Sequence, residues 1–164
     1  MAKVHLLIGN TGAGKSTYAT GFSEAENAYI LANDEWFKTL YMKDMPTESV
    51  YEWSLERTER IEEQMLKESL KLLKFNLNVI LDIGFFKKSQ RDRVKNFYSK
   101  KGIEVVAHYF DVSSEVRWSR VQKRNLEKAA TFEFEVSKEI FDFCETLFEP
   151  LEVSELTTAI IIKN

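Results

Sequence analysis

The chain is short of several things that would each announce a particular way of life. Its 164 residues include one cysteine and two histidines. Cys144 has no partner for an internal disulfide, and no Cys/His cluster has the spacing of a metal site. His5 and His108 each sit inside an apolar run and read as strand residues. The amino terminus enters a strand directly, without the apolar core and cleavage site of a signal peptide. No apolar run approaches the ~20 residues that span a bilayer. The formal net charge is -3, so no bulk positive field draws the chain to nucleic acid or acidic lipid, although transient contact with an oligonucleotide end is compatible with it. The prolines and glycines form no linker, and there is neither an internal repeat nor a low-complexity tract. These absences lead us to expect one soluble domain (residues 1–164) of a reducing compartment, the cytoplasm. No membrane partner is expected, and oligomeric state is left open.

What is present is ordinary core-forming material, 44% hydrophobic and 30% charged, in a chain long enough to bury a sizeable core. Apolar runs alternate with helix-period segments. Strands are expected at Val4–Ile8, Ala28–Ala32, Asn78–Asp82, Glu104–Val112 and in "TAIIIK" near the end. A helix should open inside the first glycine-rich loop and reach about Phe22. A short one follows near Asp34–Tyr41, then a long one from Ser49 to Lys74. Ser49 and Glu52 have capping-box spacing there, and Leu55, Thr58, Ile61, Met65, Ser69 and Leu72 form its core stripe. Ser89 and Gly102 bracket a further helix, Ser113 caps another to about Asn125, and the last runs from Ser137 to Phe148. Strand–helix alternation with long crossovers means a parallel sheet covered on both faces.

Between the first strand and its helix stands "GNTGAGKST": Gly9, Asn10, Thr11, Gly12, Ala13, Gly14, Lys15, Ser16 and Thr17. It satisfies the phosphate-loop pattern in full and in the correct strand-to-helix setting. Glycines let the main-chain N–H groups converge, Lys15 offers charge to outer phosphates, and Ser16 offers a hydroxyl to Mg²⁺.

The pattern names a nucleotide's phosphates without naming their fate. No N/T-K-x-D segment or D-x-x-G switch argues for a GTPase, and the serine-glycine-glycine signature of transporter ATPases is absent. A small kinase needs an acceptor base after the second strand, a second metal carboxylate on the next core strand, and arginines that close with a lid. Asp34 follows the second strand and reads either as that base or as the cap of its helix. Asp82 ends "NVILD" in Walker B fashion. Arg117, Arg120 and Arg124 share a helix leading into an irregular segment, a lid of about residues 120–136; Arg117 reads equally as a surface cation. Trp36, Phe37, Tyr41, Trp53, Phe85 and Phe86 read as core or as stacking surfaces. Phe132, Phe134, Phe141, Phe143 and Phe148 should pin the lid and last helix. Lys87, Lys88, Arg91 and Arg93 read as an anion guide or a solvated helix end.

With the loop, "NDEWFKTLY", "VILDIGF", "RVQKRN" and "LFEPLE" in view, the chain resembles P-loop ATP-binding proteins related to polynucleotide 5′-kinase. Zeta-toxin and chloramphenicol phosphotransferase are more distant relatives. The likeness covers nearly the whole chain. It implies an α/β P-loop NTPase three-layer sandwich, with a five-stranded parallel sheet in 2-3-1-4-5 order and helices on both faces. It also implies ATP with Mg²⁺ as cofactors, Lys15 and Ser16 on phosphate and metal, Asp34 as general base, and Arg120 and Arg124 in the lid. The related kinases place an acceptor-gripping arginine three residues after the base; here Phe37 stands there, with Lys38 one later. The shikimate-kinase and adenylate-kinase patterns are not met. The expectation is transfer of the ATP γ-phosphoryl group to a hydroxyl acceptor, a nucleoside or oligonucleotide 5′ end among the candidates. The rival is a non-catalytic or slowly hydrolysing ATP-binding module.

Overall fold

In the computed structural model, which describes residues 1–128 and 134–163, five strands form one sheet: β1 (Val4–Ile8), β2 (Ala28–Ala32), β3 (Asn78–Gly84), β4 (Val105–Phe110) and β5 (Ile160–Ile162). Their order is β2-β3-β1-β4-β5 and every pair is parallel. β1 is buried along its whole length, as a strand covered on both faces must be. The helices are α1 (Lys15–Glu26), α2 (Asn33–Tyr41), α3 (Val50–Lys74), α4 (Lys88–Ser99), α5 (Ser114–Glu127), α6 (Lys138–Leu147) and α7 (Val153–Leu156). This is the α/β three-layer sandwich and strand order that the resemblance implied.

Two-residue alternation along the strands sorts the cores. Val4, Leu6 and Ile8 of β1, with Val79, Leu81 and Ile83 of β3, pack against Ile61 and Met65 of α3 and Val94 and Tyr98 of α4. Leu7 and Ile80 face the other way, into a cluster with Ala19 of α1. The same parity puts Asp82, two residues on from Ile80, on the α1 side of the sheet.

Four local expectations fail, each for a physical reason. Ser49 precedes α3 at φ 51 and makes no side-chain cap, because the left-handed backbone turns its hydroxyl from the first-turn amides. Leu55 is 45% exposed; the docking face of those turns is carried by Trp53, which meets Phe37 and Tyr41 of α2 edge-on. Ser89 lies inside α4, whose amino end is met from afar: the Lys88 N–H donates to the Glu149 carboxylate at 2.7 Å. α7 was not foreseen, being one turn closed by a Glu152–Glu155 capping box.

The supposed basic cluster after β3 is also corrected. Arg91 is fully buried, and its five N–H groups donate to both Glu155 carboxylate oxygens (2.9 and 2.8 Å) and to the carbonyls of Phe85, Glu149 and Pro150. Lys87 pairs with Glu149, Lys88 with Asp92 and Arg93 with buried Glu62. Lys87, Lys88 and Arg93 remain partly solvated while paired, and Arg91 ties the carboxyl-terminal region to α4. Arg91→Ala should therefore leave buried Glu155 with only the more distant Lys95, at 3.2 Å, and lower stability by about 3 kcal/mol, readable as a reduced midpoint in urea.

Under α1, His5 Nδ1 and His108 Nε2 lie 2.9 Å apart, and the Tyr18 hydroxyl is 3.0 Å from His108 Nδ1. Burial, aided by His5, lowers the His108 pKa to about 4. An unfolded histidine titrates near 6.5, so on acidification the unfolded chain takes up this proton first. The stability due to neutral His108 is complete above about pH 6.5 and drains as pH falls toward 4. Carboxylate losses come lower: Arg91 holds Glu155 at about 2. Between pH 7 and 4.5 the His108 contribution should fall by roughly 2 kcal/mol. It is read as the difference in urea-unfolding stability between the parent chain and His108→Asn over that range, since the raised Asp34 and Glu62 carboxyls act with the opposite sign in both.

Candidate active site

The loop between β1 and α1 is held by its own side chains and by two distant residues. Asn10 Oδ1 accepts the Thr11 N–H at 2.7 Å, while its Nδ2 donates to Glu145 of α6 at 2.5 Å. Gly12 has φ +79, and a Cβ there would meet the Arg117 carbonyl at 2.5 Å, so only glycine serves. Gly14, at φ 92, opens α1. The unpaired amides of that first turn make its end a natural anion seat. Lys15 Nζ donates to the Gly9 and Asn10 carbonyls at 2.8 and 3.2 Å.

Sheet parity brings Asp82 to α1, where the Ser16 hydroxyl donates to its Oδ2 at 2.8 Å. Asp82 does not end β3 as expected: the strand continues to Gly84, which pairs with Ile8 after a register shift. Asp34 is not the helix cap, since α2 begins at Asn33 after Ala32 and Asp34 lies in its first turn. It opens onto a cleft of about 1000 Å³ that is also lined by residues 11–17, Asp82, Arg120 and Arg124. Asp34 keeps access to solvent at the cleft, yet the protein packed around it and the Asp82 charge push its carboxyl up, against the pull of Lys15 and Arg124. Burial pushes the Lys15 ammonium down, opposed by Asp82 and Asp34. One cation and two carboxylates thus share one electrostatic field.

The three arginines of α5 part company. Arg117 is buried, forks onto Glu145 at 2.6 and 2.8 Å, and donates to the carbonyls of Val112 and Thr11. It is neither a surface cation nor a wall of the cleft, but a brace beneath the loop. Arg120 Nη1 reaches the Ala13 carbonyl at 3.4 Å. Arg124 Nε is buried with no hydrogen-bond partner among the described residues. Of the segment expected to be a lid, residues 129–133, Phe132 included, lie outside the described residues. On its far side Val136 returns to α5, bonded through both main-chain groups to the Asn125 amide. Phe134 and Phe141 pack there with Trp118 and Val121, and Phe148 joins the main core. Phe143 pins nothing inward: it is 44% exposed and meets Tyr51 edge-on.

The sequence left Glu145 unmentioned; no local pattern marks an acid that acts through contacts 28 and 135 residues away. Among the aromatics, Phe37 and Phe85 are buried, and Trp36, Tyr41 and Trp53 pack on the core. Phe86 alone of these six also lines the cleft. For a metal, the Ser16–Asp82 pair offers hard oxygen donors, and no group of three His, Cys, Asp or Glu among the described residues could hold one unaided. That set suits Mg²⁺, which keeps several waters and takes few protein ligands.

A family profile described as AAA domain matches residues 4–151. Among curated proteins none matches in sequence. Among solved structures, a chain of the Pnkp1/Rnl/Hen1 RNA repair complex shares 25% identity at TM-score 0.67, covering 89% of this chain and 43% of that one. The present chain thus spans less than half of that relative. A sugar kinase from a Janibacter species shares 16% identity at TM-score 0.68, covering 99% and 86% of the two chains. The APS kinase of Mycobacterium tuberculosis, solved with AMPPNP and APS, shares 15% at TM-score 0.65, covering 99% and 88%. The last two likenesses establish the fold. No helix among the described residues is long and apolar enough to cross a membrane.

Because Glu145 satisfies both Asn10 and buried Arg117, Glu145→Ala should cost about 2 kcal/mol. It should also weaken binding of a fluorescent ATP analogue several-fold by loosening residues 10–12, measured by urea unfolding and by titration.

Proposed function

The chain belongs to this AAA-domain family of P-loop proteins, and from that premise we propose that it is an ATP-dependent phosphotransferase acting on a hydroxyl acceptor. The observation that carries the reading is the meeting of Ser16 and Asp82 at 2.8 Å within a cleft that Asp34 also lines. A protein that only held a nucleotide has no use for a second, raised-pKa carboxylate beside the first.

Residues 9–17 form the phosphate seat, with the α1 amides and Lys15 holding the outer phosphates. Ser16 and Asp82 hold Mg²⁺, which when bound neutralises phosphate charge and orients the terminal group. Asp34 orients the acceptor O–H and takes its proton. As the acceptor oxygen bonds to the γ-phosphorus, the bond from that phosphorus to the β,γ-bridging oxygen breaks and ADP leaves. The upward shift of the Asp34 carboxyl makes it a stronger proton acceptor than an ordinary aspartate. Arg120 and Arg124 meet the charge spread over the moving phosphoryl group. The Arg124 Nε, buried with no hydrogen-bond partner among the described residues, supports this, because such a donor is ready for an anion. Residues 120–136 act as the lid, with the Asn125–Val136 bonds as its base.

Asp34→Asn should lower turnover by at least about 10²-fold while leaving the affinity for Mg-ATP nearly unchanged. Lys15→Ala should impair both. Radiolabel transfer from γ-labelled ATP to pooled hydroxyl compounds, run beside ATP-analogue binding, measures this. ADP release that no acceptor stimulates, without labelled product, would instead establish the ATP-binding module.

A further inference from the structure

The two walls of the cleft differ in chemistry. Its cations, Lys15, Arg120, Lys123 and Arg124, all stand on the phosphate loop and α1 or on α5. The wall built by β3 and the start of α2 brings Asp34, Glu35, Asp82 and Phe86, and no cation from that wall is among the described residues lining the cleft. The basic side chains that follow β3 are all engaged with carboxylates. An anion placed against this wall would meet three carboxylates, with the cations Lys15 and Arg124 standing on the facing wall, so the wall disfavours acceptors that are themselves phosphorylated.

Phe86 gives the same wall a flat apolar surface, and the backbone is deformed to present it. Gly84 has φ +92, and a Cβ on it would lie 2.9 Å from the Phe86 ring. Phe85 follows with φ 51, an unusual conformation for an aromatic residue, and is fully buried. This pair of left-handed residues at the end of β3 sends one phenyl ring into the core and the next to the cleft. The Phe86 ring is steadied edge-on by Phe148 at 5.8 Å, and its carbonyl accepts the Glu149 N–H at 2.8 Å. A ring fixed in this way, at a cleft edge four residues from Asp82, is a stacking platform.

Resting on the phosphotransferase reading, we infer that the acceptor is an uncharged alcohol bearing a flat ring, which stacks on Phe86 while its hydroxyl meets Asp34. An unphosphorylated nucleoside is the chemical type. Phe86 then sets acceptor choice and leaves nucleotide affinity alone.

Three probes separate the features: thymidine, thymidine 3′-monophosphate (the same base and 5′ hydroxyl with added charge) and methyl 2-deoxyribofuranoside (the same sugar and 5′ hydroxyl without the base). With Mg-ATP, thymidine should exceed each of the other two by about tenfold in kcat/KM, the scale of one base–aromatic stack. Phe86→Leu should raise KM for thymidine about tenfold with kcat and the KM for ATP little changed, and Phe86→Trp should restore it. Equal or better use of either other probe, or an unchanged KM in Phe86→Leu, overturns the inference while leaving phosphotransfer intact. Thymidine binding measured by calorimetry with AMPPNP present keeps the two readings apart. Phe86-dependent binding without any product upholds the stacking site and defeats the transferase. Absence of thymidine binding defeats the site.

Discussion

Two carboxylates and one ammonium gather at one open cleft, and the rest of the molecule can be read as what holds them there. Asp34 and Asp82 repel each other, and the repulsion helps to raise the Asp34 pKa. Lys15 offsets it, at the cost of its own desolvation. Such a cluster would relax apart on a soft support. Here its members stand on a helix start, on a central strand and on a loop that closes over the sheet.

Rigidity at the loop and after β3 comes from two buried arginines, each joining segments distant in sequence. Arg117 ties the loop at Thr11 to α6 through Glu145. Arg91 ties the end of the β3 turn, at Phe85, to the carboxyl-terminal segment through Glu149, Pro150 and Glu155. Buried ion pairs contribute little net stability compared with an apolar filling of the same shape. What they supply here is direction. A planar fork with five donors accepts only one arrangement of carbonyls and carboxylate around it. The loop conformation and the path after β3 are therefore specified geometrically as well as by burial.

This division explains what could be read from the chain in advance. The strands, the phosphate loop, Asp34 and Asp82 were legible because each is announced within a dozen residues: an apolar run, a spaced glycine pattern, an acid after a strand. The caps that failed are those the fold supplies from a distance. Ser49 looked like a cap by spacing, yet its φ of 51 is set by the chain entering α3. Glu149 meets the Lys88 amide from 61 residues away. Arg91 and Arg117 were visible only as positive charges. Whether an arginine is a surface cation or a buried fork depends on where Glu155 and Glu145 arrive, which periodicity does not report.

The aromatic residues follow the same logic and connect scaffold to specificity. Phe37 lies three residues beyond Asp34, where related kinases carry a cation for the acceptor. Here it packs into a T-shaped cluster with Tyr41 and Trp53, and Arg57 sits 4.0 Å over the Trp53 ring. The cluster joins α2 to α3 one turn beyond Asp34, so Phe37 helps to fix the position of that carboxylate. A cation at position 37 would have to give up water to lie against those rings beside Arg57, or turn α2 outward and move Asp34 with it. In this chain the phenyl ring at position 37 therefore helps to decide where Asp34 stands.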